Sequence, residues 1–90
     1  MSHPLGALAD NMTAYAIYAT AQAEMRHAYA LIDAGRLDDA ANEIESAAHA
    51  AEVLANASVE LDRIAHWRRV AAARQRFVDQ LKAATKPVAA

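Results

Sequence analysis

Between Ala7 and Ala34 the chain runs without Pro or Gly, and Leu8, Met12, Tyr15, Tyr18, Ala19, Gln22, Met25, Tyr29 and Ile32 return at helical intervals. That spacing gathers them on one side of a helix, so the pattern predicts a long first helix over about 7–34. Its start carries two candidate signals: Ser2 with Pro4 as a cap and first turn, or Asp10 as a later cap after Gly6. Its end is better marked. Gly35 suits the left-handed residue that closes a helix, and Asp38 and Asp39 then place negative charge at the next N-terminus, where the helix dipole favours it.

A second helix is predicted over 37–56, with an inner stripe of Leu37, Ala40, Ala41, Ile44, Ala47, Ala48, Ala51, Leu54 and Ala55. Small residues along a seam let helix axes approach closely, so this helix is expected at the tightly held centre of the fold. Neither Gly nor Pro separates it from the next segment. Its frame nevertheless breaks: continued past Ser58 the stripe would land on Asp62, Ala65, Arg69, Ala72 and Arg76, whereas the bulky residues sit at Ile64, Trp67, Val70, Phe77, Val78 and Leu81. A turn near 56–59 with Asn56 or Ser58 capping a restarted helix accounts for the slip, with one long, bent helix from Leu37 to Lys86 as the alternative, and the third helix is then predicted over 59–85. Lys86 before Pro87 ends it, leaving 86–90 as a tail. The expectation is a single all-α domain, a three-helix bundle.

The segment Tyr29-Ala-Leu-Ile-Asp-Ala-Gly35-Arg-Leu-Asp-Asp-Ala40, followed by Ala47 or Ala48, resembles the hairpin of a tetratricopeptide repeat. Such repeats bury a continuous core only in arrays of at least about three, and no second copy is present, so the resemblance implies shared hairpin geometry rather than membership.

Composition narrows the functional classes. Hydrophobic residues make up 56% of the chain, but much of that is Ala, so the core rests on few large side chains. The absence of Cys excludes disulfides, thiolate chemistry and zinc knuckles. No apolar run approaches membrane-spanning length and the N-terminus lacks a leader pattern, so a soluble, cytoplasmic protein is expected. Abundant Ala, with Arg in place of Lys, is the composition expected of a high-GC bacterial or phage genome. The net charge of −2 hides a polarity: 37–57 carries five acids (Asp38, Asp39, Glu43, Glu45, Glu52) and no base, whereas 58–90 carries seven bases and three acids.

Three kinds of site can be nominated. Histidines with acids at helical spacing, Glu24 with His27, Glu45 with His49, and Asp62 with His66, suggest a metal set of Glu24, His27, His49 and His66. On a helical projection these point away from the inner stripes, and the second Glu-x-x-His pair and the bridging carboxylates of di-iron bundles are missing. No metal or other cofactor is therefore expected. A nucleic-acid surface would use Arg63, Arg68, Arg69, Arg74 and Arg76, yet these are spread around the third helix rather than lined up on one face. The third candidate is a protein interface of Met12, Tyr15, Tyr18, Gln22, Met25 and Tyr29 with Trp67 and Arg74, rich in the aromatic residues and Met that interface centres favour. Arg74 falls among Trp67, Val70, Val78 and Leu81 and must snorkel, stack or meet a partner's carboxylate. With no Gly-rich phosphate loop and no nucleophile constellation, the sequence reads as a non-enzymatic interaction module. It is expected to homodimerise and to bind a larger protein as adaptor, chaperone-like factor or inhibitor. A nucleic-acid regulator and a metal-binding protein are the alternatives.

Overall fold

The computed structural model describes residues 3–85, and these form three α-helices: α1 (Met12–Asp33), α2 (Leu37–Ala57) and α3 (Leu61–Thr85), preceded by a 3₁₀ turn at Gly6–Asp10. They make an antiparallel up-down-up bundle, an elongated body of 52 × 21 × 21 Å. The centre is α2, which packs along both neighbours. The small seam residues explain this arrangement. Ala40, Ala41, Ala47, Ala48, Ala51 and Ala55 are all buried, as are Ala14, Ala21 and Ala28 on α1 and Ala71 on α3. Ala also costs nothing in helix propensity, so the same residues favour the helix and permit its close packing.

Two clusters of larger side chains sit at the ends of this seam. One joins Leu5, Leu54 and Trp67, and the other joins Leu31, Ile44, Val78 and Leu81. Leu5 is fully buried although it precedes the first helix. The segment around it straps the end of the bundle. Trp67 Nε1–H donates to the Pro4 carbonyl at 3.2 Å, and the Ala7 N–H donates to Glu60 Oε1 at 2.8 Å. Gly6 makes the crossing possible: its φ is +57°, and a Cβ there would collide with the Glu60 carboxylate and crowd Arg63.

The boundaries show which capping signals operate. The first α-helix begins at Met12 rather than near residue 7, because Asn11 is extended and its Oδ1 accepts from the Ala14 N–H at 2.9 Å. Asp10 does not serve as its cap, and Ser2, the other candidate, lies outside the described residues. At the other end, Gly35 has φ +77°, its N–H donates to the Ile32 carbonyl at 2.9 Å, and the Arg36 N–H donates to the Leu31 carbonyl at 2.8 Å. This is the paired bonding of a Schellman closure. The helices α2 and α3 are separate. Ser58 takes an extended conformation and ends α2, its N–H and Oγ both donating to the Leu54 carbonyl, while the Glu60 carbonyl accepts the first bonds of α3 from Arg63 and Ile64. Ser58 therefore closes one helix instead of opening the next, and Asn56 is exposed. The tail expected at 86–90 lies outside the described residues. Among those residues no helix is long and apolar enough to cross a membrane.

Candidate interaction face

Because α1 and α3 both lean on α2, they run parallel to each other and meet through long side chains rather than through an Ala seam. The groove between them collects most of the interface residues nominated from sequence. Tyr18, Gln22, Trp67 and Arg74 line a cleft of about 280 Å³ with Pro4, His66 and Val70. Towards the N-terminal end of α1, His3, Tyr15 and Tyr18 pack mutually, and the chain of rings continues through Trp67 to His66, with centroid separations between 4.8 and 6.0 Å. Towards the other end Tyr29 meets Phe77 at 6.0 Å, and Met25 is packed at the edge of the Leu31–Ile44–Val78 cluster. Trp67 is buried, but Tyr15 and Tyr29 keep about half their surface, 48% and 54%. Met12 stands almost clear of the bundle at 88%.

Arg74 sits in the middle of this groove, and its surroundings answer the question its position raises. Its Nη1–H donates to the Ala47 carbonyl of α2 at 2.9 Å and its Nη2–H to Gln22 Oε1 of α1 at 3.3 Å. One guanidinium thus ties all three helices, reaching a backbone carbonyl on the buried Ala seam of α2. Burial lowers its pKa from the ordinary value, with Glu24 and Tyr29 acting in the opposite sense. Arginine remains charged throughout. Both acceptors are neutral, so this half-buried cation has no carboxylate to balance it at contact distance.

His66 reports the same electrostatics. Its pKa is lowered below the usual histidine value, first by burial and then by Arg69, Arg63 and Arg74. Arg63 also keeps a buried Nε without a hydrogen-bond partner. The basic residues of α3 consequently divide. Arg63 and Arg74 are drawn in around the groove, whereas Arg68, Arg69 and Arg76 are exposed, and Arg68 belongs to the separate α2–α3 cleft with Glu52 and Gln75. The five arginines do not form one phosphate-tracking row.

The histidines and acids named as a metal set are also dispersed. His27 pairs with Glu43 of α2 at 3.3 Å rather than with Glu24, His49 stands 4.0 Å from Glu52, and His66 lies in the aromatic groove. Among the described residues no three His, Asp or Glu side chains converge as a metal would require. A further cleft of about 390 Å³ lies on the outer side of α1 and α2. Small side chains line much of it, Thr13, Ala16, Thr20, Ser46 and Ala50, together with Ile17, Val53, Glu24 and His49.

Sequence reasoning missed His3, Pro4 and Phe77 as parts of the groove. Phe77 was legible as bulky, but its pairing with Tyr29 depends on the register of two helices that are not consecutive. His3 and Pro4 arrive only because Leu5 is buried. Val59 and Leu61, exposed at 80% and 84%, form a second apolar feature at the α2–α3 turn that helical periodicity could not signal. Comparison of the chain with protein-family models, with curated proteins and with solved structures finds no match in any of the three.

Proposed function

We propose that this chain is a non-enzymatic protein-interaction module that docks a protein through the α1–α3 groove. The observation that carries this reading is the contrast between seams. The α1–α2 and α2–α3 contacts are closed by buried Ala, while the α1–α3 groove gathers Tyr15 and Tyr18 near a buried Trp67 at one end and Met25, Tyr29 and Phe77 at the other, with the Tyr15 and Tyr29 side chains half open. Large aromatic area with a polar rim is what interface centres use, and among the described residues the half-open tyrosine rings are found in this groove. The pKa displacements at His66 and Arg74 are explained by burial and neighbouring charge without invoking an acid–base pair. The partner is a second copy of the chain or a different protein acting through the same face.

The experiment is alanine substitution read by dissociation constant, with circular dichroism confirming the fold. Tyr29→Ala and Met25→Ala each weaken association about tenfold, and Arg76→Ala leaves it unchanged. Equal or reversed effects would remove the α1–α3 groove as the contact.

A further inference from the structure

The groove is positive as well as aromatic, and that property selects its occupant. Arg63, Arg69 and Arg74 all act on His66, and among the described residues none of the three has a carboxylate within ion-pair distance. Four of the five acids of α2 are engaged elsewhere, Asp39 with Arg36, Glu43 with His27, Glu45 with Lys82, and Glu52 beside His49, while Asp38 lies in its first turn and Glu24 of α1 acts on Arg74 without an ion-pair contact. Arg74 donates only to neutral oxygens and keeps further N–H groups of its guanidinium for another acceptor.

A second copy fits this groove poorly. Isologous pairing sets the same patch against itself, and α3 spans 61–85, so Arg74 lies next to its midpoint. A two-fold axis through the centre of the face therefore sets one Arg74 against the other in either orientation, a like-charge contact between half-buried cations. We infer that the α1–α3 groove receives an amphipathic helix of a different protein, whose apolar side chains meet the Tyr18–Trp67 and Tyr29–Phe77 ends and whose central Asp or Glu meets Arg74. The stretch from Tyr15 to Tyr29 is about 21 Å long at 1.5 Å per residue, which matches a helix of about four turns. The inference rests on the docking reading above and adds the chemistry of the partner.

The test uses the full chain, immobilised, and a display library of 20-residue amphipathic helices with randomised central polar positions. Recovered peptides are expected to be enriched in Asp or Glu at the centre. Their affinity, followed by Trp67 fluorescence, should fall about tenfold with Arg74→Gln and about threefold with Arg69→Gln, and stay unchanged with Arg76→Gln. Should Arg74→Gln unfold the bundle, Arg74→Lys and Arg69→Gln carry the comparison. Peptides lost on Tyr29→Ala but showing no acidic enrichment would overturn the acidic partner while leaving the docking face intact. Peptides indifferent to Tyr29→Ala, or no binders at all, would overturn both. Displacement of the peptides by a single-stranded oligonucleotide at about 0.15 M salt would assign the charge to nucleic acid and overturn the proposal.

Discussion

Two glycines hold left-handed backbone for different reasons, and substitution separates them. Nothing lies near a Cβ added at Gly35, so Gly35→Ala carries only the conformational cost of φ +77°, about 1 kcal/mol in denaturant unfolding. Gly6→Ala adds a collision with Glu60, displacing the carboxylate that accepts from Ala7. It is expected to cost more and, unlike Gly35→Ala, to shift Trp67 emission as the strap lifts. His66 gives a pH signature of definite sign. Its folded-state pKa lies below the ordinary histidine value of 6.5, so the unfolded chain binds more protons, and stability is lost as pH falls through 6.5 toward the folded value. Melting temperatures measured between about pH 7.5 and 5 should fall more steeply for the native chain than for His66→Gln. Arg69→Gln should raise the His66 pKa observed by NMR. Arg74 shows where residue-level reading stops: its awkward place on the apolar face is plain in the sequence, but the Ala47 carbonyl and Gln22 that receive it belong to two other helices.

At the scale of elements, legibility followed the range of the interaction. The stripe Ala40–Ala47–Ala51–Leu54 and the frame slip after Ser58 are local periodicities, and the structure places α2 at the centre with α3 beginning afresh at Leu61. Gly35 closes α1 by bonds between near neighbours in the chain. The start of α1 was not legible, because the 3₁₀ turn at Gly6–Asp10 exists to bring Leu5 into a socket made by Ala51, Leu54, Trp67 and Ala71, far away in sequence. The strap and the seam make opposite demands on volume. Leu5→Ala empties a fully buried site, so a loss of about 2–5 kcal/mol is expected. Ala47→Leu forces a larger side chain into a seam with no accessible surface, and a loss of at least about 1–3 kcal/mol is expected together with loss of the Arg74 bond to its carbonyl. Chemical denaturation with the m-value held in view distinguishes the two, since only the seam variant should disturb the contact of all three helices.

At the scale of the whole molecule, one central helix whose buried seam is mostly Ala produces both the close packing and the open face. Close seams on two sides of α2 leave α1 and α3 to meet over their longest side chains, and the groove between them inherits the aromatic rings and the arginines together. Of the residues nominated from sequence on the first helix, Tyr15, Tyr18, Gln22, Met25 and Tyr29 lie along that groove and Met12 stands clear of it, while the metal set scatters because Glu24, His27, His49 and His66 occupy different surfaces. The most direct test of docking through this face is photo-crosslinking in cells that express the protein, with a benzophenone side chain at Tyr29 and, in a parallel variant, at Arg76. A discrete protein adduct from position 29 and none from position 76 is the result expected. Adducts from position 76 alone, or none from either, would contradict the assignment of the groove between α1 and α3 as the working surface.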